Sequence, residues 1–200
     1  MVITNAASAI IKLFVADPTK AYNIREIAKN TGINYRLIYN AVLALEKENF
    51  LEIKNVGNIR VCSFMYAGNI PLCTYAEAER TKNSLEKNVA LNIIKQEIDK
   101  KTNTVYDTII VFGSYAREKQ KTASDVDILC IIPEGKKREQ YEQEMHSILK
   151  ILHYKIDVNV LTEKEFIDGK KEQTINIIKE VIPNHIILRG AEQFHYLLEK

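Results

Sequence analysis

The first third of the chain alternates helical hydrophobic patterns with turn signals. Apolar residues recur at helical spacing up to Asp17-Pro18, which predicts a first helix with Ala6, Ile10, Leu13 and Phe14 on its buried side. Asn23 and Glu26 have the spacing of a capping box, in which each side chain accepts a hydrogen bond from the other residue's backbone amide. They predict a second, short helix that ends at Thr31-Gly32.

A longer helix and a hairpin are predicted next. The helix begins at about Asn34, and its buried stripe is expected to hold Leu37, Ile38, Ala41, Val42 and Leu45. Two strands, Phe50–Lys54 and Ile59–Phe64, flank turn residues Asn55–Asn58. This order of elements, three helices followed by a hairpin, is typical of a winged helix-turn-helix, in which the hairpin is called the wing. Residues 1–70 are therefore predicted to form that domain.

The segment from Ile24 to Lys54 resembles the DNA-reading half of small prokaryotic regulators. In such a fold, one set of residues lies away from the buried stripe and faces a major groove: Tyr35, Arg36, Tyr39 and Asn40. Arg60 on the wing would reach a phosphate of duplex DNA. A small basic excess, eight Lys/Arg against five Asp/Glu up to Ile70, agrees with this. The alternative is that these polar residues are merely solvated and that the domain serves to form a homodimer.

The remainder of the chain predicts a connector and a second domain. Residues 71–100 are helical and charged, while residues 101–200 alternate strands with helices. The expected strands are Val105–Phe112, Asp125–Ile132 and Tyr154–Leu161. The whole chain is therefore predicted to be α+β.

Candidate chemistry lies at the strand ends of the second domain. Gly113-Ser114 follows a strand, where glycine permits close approach of the backbone to a ligand and the serine hydroxyl can bind a phosphate oxygen. Asp125 and Asp127 are two residues apart, so both carboxylates are expected on one face of a strand. Asp157 is an isolated acid in an apolar strand. Three carboxylates would suit Mg²⁺ or Mn²⁺ together with substrate phosphates.

The combination of these motifs resembles the DNA polymerase β-like nucleotidyltransferase superfamily, and within it the minimal nucleotidyltransferases. Gly113-Ser114, ten intervening residues, Asp-x-Asp and a strand aspartate about thirty residues later form the likeness. The resemblance implies a small mixed sheet flanked by helices. It also implies a catalytic and metal-binding set, Asp125, Asp127 and Asp157, and a nucleotide-binding set, Gly113, Ser114, Arg117 and Ser124. Glu118 departs from the pattern, because the family often has glycine after this arginine.

The implied activity is transfer of a nucleoside monophosphate from an NTP, with ATP as the expected donor. Acceptors in similar proteins include small molecules, RNA ends and protein hydroxyls, and some relatives are antitoxins that modify a partner toxin. The alternative is a DNA-binding transcriptional regulator whose nucleotidyltransferase-like domain senses nucleotide. A third reading is an interaction protein that retains the fold without catalysis.

The composition indicates the cellular compartment in which the protein is expected. Three widely spaced cysteines argue against a disulfide framework, and the histidine spacing gives no zinc motif. The sequence has neither an apolar run long enough for a membrane span nor the pattern of a signal peptide. A cytoplasmic protein without a membrane partner is expected.

Overall fold

A computed structural model describes residues 3–66, 68–101, 106–121, 124–172 and 176–200. Within these residues the chain forms ten helices and two sheets. The helices are α1 (Asn5–Ala16), α2 (Ile24–Thr31), α3 (Tyr35–Lys47), α4 (Ile70–Lys87), α5 (Val89–Lys101), α6 (Gly113–Ala116), α7 (Arg138–Leu149), α8 (Glu163–Lys171), α9 (Ile177–Val181) and α10 (Ala191–Glu199). The strands are β1 (Ala21–Asn23), β2 (Leu51–Val56), β3 (Ile59–Phe64), β4 (Thr108–Phe112), β5 (Val126–Ile132), β6 (Ile156–Thr162) and β7 (Ile186–Arg189). The predicted α+β class is confirmed.

The N-terminal elements follow the order predicted for a winged helix-turn-helix. Helices α1, α2 and α3 pack around one core, and an antiparallel sheet of order β1-β3-β2 closes it. The capping box forms: Glu26 N donates to Asn23 Oδ1 at 2.9 Å, and Asn23 N donates to Glu26 Oε2 at 2.8 Å. Only Gly57 and Asn58 separate the hairpin strands, so the first strand continues to Val56 rather than ending at Lys54.

Leu37 does not belong to the buried stripe of α3, as had been predicted. Its exposure is 57%, whereas Ile38 and Val42 are fully buried. Consecutive helical residues are turned by about 100°, so a stripe centred on Ile38 and Val42 leaves Leu37 at its outer edge. The stripe therefore consists of Ile38, Ala41, Val42 and Leu45.

The connector consists of two helices rather than one continuous helix, because the chain is extended at Asn88. Helix α4 contributes Cys73 and Ala76 to the N-terminal core and also packs against α10 and β7. Helix α5 places Leu91, Ile94 and Ile98 in the core of the second sheet. We retain the division at residues 70 and 100 as a proposal, with α5 packed as part of the C-terminal unit.

The second sheet has the order β6-β5-β4-β7, in which β5 and β6 are parallel and β4 is antiparallel to both neighbours. Helices α5 and α7 cover one face, and α8, α9 and α10 cover the other. The first strand begins at Thr108 instead of residue 105, and residues 102–105 lie outside the described part. Two helices, α8 and α9, lie between β6 and β7. No helix in the described ranges is both long and apolar enough to cross a membrane.

Both faces of β5 are buried from Ile128 to Ile132. The face that carries Asp127 continues as Leu129 and Ile131, which pack under α8, α9 and α10. Because only the start of β5 lies beyond this cover, Asp127 is half-buried and Asp125 is exposed. The polar chemistry is therefore confined to one end of the sheet.

Candidate active site

The three acidic residues lie at the same end of two neighbouring strands. In the parallel pair formed by β5 and β6, Asp127 is the register partner of Asp157. Asp125 immediately precedes β5, where the backbone amide of Val126 donates to the carbonyl of Lys155 at 2.8 Å. The sheet register therefore brings together carboxylates that are separated by about thirty residues in sequence.

Gly113 lies directly against the Asp127 carboxylate. Its backbone is in the left-handed region, with φ of 67°. A Cβ atom at this position would lie 2.0 Å from Asp127 Oδ2, so any side chain would displace the carboxylate. The sequence predicted that glycine here allows close approach to a ligand; in the structure the group that it admits is Asp127.

Negative charge accumulates around Asp127. Its pKa is raised, first because partial burial penalises the charged form and then because Asp157, Glu180 and Asp125 repel it, while Arg117 acts in the opposite direction. Carboxylates gathered in this way are favourable only when a positive charge offsets their repulsion.

The outer two carboxylates are turned toward neighbouring side chains. Asp125 Oδ1 lies 3.6 Å from Lys155 Nζ, and Asp157 Oδ2 accepts a hydrogen bond of 3.0 Å from Asn159 Nδ2. Among the described residues, no group of three or more His, Cys, Asp or Glu side chains is close enough to hold a metal ion. The carboxylate oxygens and the strand register nevertheless suit a hard divalent cation. The exposed side chains of Asp125 and Asp157 would have to rotate toward Asp127 to bind the same ion.

The loop after Gly113 holds the other predicted nucleotide-binding residues. Ser114 lies half-buried in α6, and Ser124 Oγ accepts a hydrogen bond of 2.8 Å from the backbone amide of Lys121. Arg117 Nη1 lies 3.0 Å from Glu180 Oε1, so in this structure it forms a surface ion pair. Both side chains of this pair are more than a third exposed, and solvent can therefore separate them at little cost.

Glu118 explains how the loop tolerates its departure from the family pattern. Its φ is 52°, in the left-handed region that favours glycine. Glu118 therefore has a backbone conformation that glycine adopts at lower cost. Glu118 Oε1 also accepts a hydrogen bond of 3.2 Å from Lys87 Nζ of α4, which links the loop to the connector.

Glu180 is a residue that sequence reasoning missed. It lies on α9, 63 positions after its partner Arg117, and no local motif marks it. Only the packing of α9 beside the ends of β4 and β5 brings this carboxylate near Asp127. Its charge raises the pKa of Asp127, whereas the Arg117 charge lowers it.

Three of the five residues predicted to bind DNA, Tyr35, Tyr39 and Arg60, line a groove between α3 and the hairpin, whereas Arg36 and Asn40 do not. Tyr35, Arg36 and Asn40 are exposed, and Arg60 Nη1 donates a hydrogen bond of 2.7 Å to the Tyr39 hydroxyl. The groove has a volume of about 480 Å³ and is lined by Asn23, Ile24, Arg25, Tyr35, Tyr39, Asn58, Ile59 and Arg60. Sequence reasoning did not single out Asn23, Arg25 or Asn58 for this surface, because their roles as cap, helix and turn residues gave no such signal.

Comparison with known proteins agrees with the chemistry of the second sheet. Residues 91–183 match the family model described as a nucleotidyltransferase domain. No curated protein matches the chain in sequence. Among solved structures, the chain is similar to TrmBL2, an archaeal chromatin protein whose structure shows a novel mode of DNA binding, at 16% identity. That likeness covers 84% of this chain and 66% of TrmBL2, and its TM-score of 0.28 is too low to relate the two folds. Residues 91–183, which include β4, β5 and β6, are therefore similar to a nucleotidyltransferase domain.

Proposed function

We propose that the C-terminal domain transfers a nucleoside monophosphate from ATP to an acceptor hydroxyl. The observation that carries the proposal is the placement of Asp127 in register with Asp157 and against Gly113, inside the segment that matches the nucleotidyltransferase family. In the reaction the acceptor oxygen forms a bond to the α-phosphorus, and the bond from that phosphorus to the pyrophosphate oxygen breaks. The acceptor proton leaves to a carboxylate or to solvent.

The same carboxylates would hold the divalent cations that this reaction needs. Asp125, Asp127 and Asp157 supply oxygen ligands of the kind that Mg²⁺ and Mn²⁺ bind. When bound, such ions offset the carboxylate repulsion, neutralise triphosphate charge and lower the pKa of the acceptor hydroxyl. The raised pKa of Asp127 supports this assignment, because partial burial and then repulsion by Asp157, Glu180 and Asp125 disfavour its charged form, which a bound cation would favour.

The loop residues position the triphosphate in this proposal. The Ser114 hydroxyl and the backbone at Gly113 contact the β- and γ-phosphates, and Ser124 lines the approach to Asp125. Arg117 exchanges its exposed partner Glu180 for a phosphate oxygen, which gives a stronger charge-assisted hydrogen bond in a less solvated site.

Substitution of Asp157 tests the catalytic assignment. We expect Asp157→Ala to reduce the single-turnover rate by at least about a hundredfold while ATP affinity changes little, because an interaction made mainly in the transition state lowers the rate constant and not binding. Asn159→Ala, which removes only the partner of the aspartate, is the matched control and should keep most of the rate. An Asp157→Ala protein that transfers at the wild-type rate would remove this residue from the site.

The acceptor is a separate question, and we include a partner toxin protein among the acceptor classes, beside RNA ends and small molecules. Incubation of the purified protein with α-labelled ATP, Mg²⁺ and cell extract distinguishes them by the size and protease or nuclease sensitivity of the labelled product. Label that stays on free nucleotide in every fraction would argue against transfer.

A second candidate function belongs to the N-terminal unit, which we infer to be a winged helix-turn-helix that binds duplex DNA. The groove between α3 and the wing carries Arg25 and Arg60, and Arg36 lies exposed on α3 beside it. In this alternative the protein is a transcriptional regulator and its nucleotidyltransferase domain senses nucleotide. DNA binding that is unchanged by ATP and Mg²⁺ would count against the sensing role.

A further inference from the structure

A second pocket lies at the end of the C-terminal sheet opposite to the three carboxylates. Asp107 precedes β4, Pro133 follows β5 and Glu163 follows β6, whereas Asp127 lies where β5 begins. The pocket has a volume of about 650 Å³, which is within the range of small-molecule sites. Its lining also includes Ile70, the first residue of α4, so it opens beside the junction with the N-terminal unit.

The lining combines aromatic rings with carboxylates. Tyr106 is 80% exposed and Tyr196 is 44% exposed, so both rings are accessible to a ligand in the pocket. Glu163 and Glu192 also line the pocket, and Glu192 has no ion pair or hydrogen bond within the described ranges. Glu163 Oε1 accepts a hydrogen bond of 2.6 Å from Gln193 Nε2. This neutral amide orients the Glu163 carboxylate but does not offset its charge.

The third carboxylate of the lining, Asp107, is already balanced. It is buried, accepts a hydrogen bond of 2.5 Å from the Tyr141 hydroxyl, and lies 3.3 Å from Arg189 Nη1. Within the described part of the chain, the lining carboxylates without a cationic partner are thus those of Glu163 and Glu192. A ligand with a positive group and an apolar body would complement both the charge and the tyrosine rings.

The chain itself shows that Tyr196 accepts a cation. Lys200 Nζ lies 4.2 Å from the centroid of the Tyr196 ring, within the distance at which cations are attracted to the face of an aromatic ring. One face of the Tyr196 ring is therefore in contact with a cation of the chain itself.

We propose that this pocket binds a small organic cation, an alkylammonium or guanidinium group carried on an apolar chain. Glu192 and Glu163 supply the charge, Tyr106 and Tyr196 contact the cation and its methylene groups, and Pro133 and Ile70 line the apolar floor. The site is independent of the proposed nucleotidyl transfer, because its residues lie at the other end of the sheet.

Calorimetric titration of the full chain with cadaverine and with its neutral counterpart 1,5-pentanediol tests the proposal. We expect cadaverine to bind and the diol not to bind. Tyr196→Leu and Glu192→Gln should each weaken cadaverine binding about tenfold, whereas Tyr196→Phe, which keeps the ring, should retain it. Glu144→Gln, at an exposed carboxylate on α7, controls for loss of general negative charge.

Two results would overturn the assignment. One is the absence of cadaverine binding to the wild-type chain at millimolar concentration. The other is equal affinity in Tyr196→Leu, Glu192→Gln and Glu144→Gln, which would show nonspecific attraction to an acidic surface. Circular dichroism of each variant establishes that it is folded before its affinity is interpreted.

Discussion

Asp127 combines three constraints at one position of the chain. It lies near the start of a buried strand, it lies against the backbone of Gly113, and it is the register partner of Asp157 on the neighbouring strand. The spacing of Asp125 and Asp127 indicated that their side chains share a face, and this follows from strand geometry alone. The nearness of Asp157 was inferred from the resemblance, and that of Glu180 had no local signal, because both depend on how distant elements pack.

Neutralising Asp127 should leave the fold intact and abolish transfer. A carboxyl whose folded pKa is raised favours the folded state at pH below its unfolded pKa, and this contribution is lost as pH rises through the folded pKa. At neutral pH the charged residue is therefore unfavourable, and Asp127→Asn should melt at the same temperature as wild type or higher. We expect its transfer rate to fall by at least about a hundredfold.

Thermal melts at neutral and mildly acidic pH check this prediction. The advantage of Asp127→Asn should shrink as the pH falls through the pKa of Asp127. A melting temperature several degrees below wild type at neutral pH would instead assign Asp127 a structural role.

Glu118 gives a second test at the scale of one residue. A left-handed conformation costs an ordinary residue roughly 1–2 kcal/mol. Glycine avoids this cost, but the greater entropy of its unfolded state lowers stability by about 0.5–1 kcal/mol. We expect Glu118→Gly to be more stable than Glu118→Ala by up to about 1 kcal/mol, since both lose the exposed Lys87 contact equally. Urea denaturation measures the difference. A Glu118→Ala protein at least as stable as Glu118→Gly would contradict the strain.

Helix α3 and the hairpin show what can be read from sequence at the scale of an element. Capping residues, the glycine stop at Gly32 and the hairpin were predictable because each depends on neighbours within a few positions. The exposure of Leu37 and the break at Asn88 were not, because they depend on which face a partner element covers. The groove between α3 and the wing is likewise a product of packing.

The wing and α3 should bind duplex DNA through phosphate contacts. Arg36→Ala and Arg60→Ala are each expected to weaken binding and to reduce the slope of log affinity against log salt by about one, the effect of losing one phosphate contact. Lys47→Ala, an equally exposed cation at the far end of α3, should change neither quantity. Fluorescence anisotropy across a salt series makes the comparison. Equal losses in all three variants would indicate a general charge effect in place of a defined surface.

At the scale of the whole molecule, α4 joins the two units through a buried charged cluster. Glu77 is 1% exposed, and its Oε1 lies 2.9 Å from His185 Nε2, while Oε2 lies 2.5 Å from Arg80 Nη1. Burial acts to raise the pKa of Glu77, but the charges and hydrogen bonds of His185 and Arg80 hold it well below its usual range. Cys73 and Ala76 of the same helix lie in the N-terminal core, so the cluster links that core to the C-terminal unit through His185.

Loss of the Glu77 charge should destabilise the molecule strongly. Removing one partner of a buried ion pair costs about 3–5 kcal/mol, so we expect a loss of that size in Glu77→Gln at neutral pH. The stability from Glu77 is present above its unfolded pKa and is lost as pH falls toward its folded pKa. Glu79→Gln, a partly exposed neighbour on α4, is the matched control and should cost less than about 1 kcal/mol. Similar unfolding free energies for the two variants would contradict a structural role for the cluster.

Identifying the group that is transferred from ATP tests directly whether the carboxylate site is a nucleotidyltransferase. The wild-type protein is incubated with Mg²⁺, cell extract and ATP labelled either at the α- or at the γ-phosphate, beside the Asp125→Asn and Asp127→Asn variants. We expect an acceptor to gain label from the α-phosphate only, γ-label to appear in pyrophosphate, and neither variant to transfer. Transfer of γ-label to the acceptor, or α-label incorporation that is undiminished in both variants, would contradict nucleotidyl transfer at this carboxylate site.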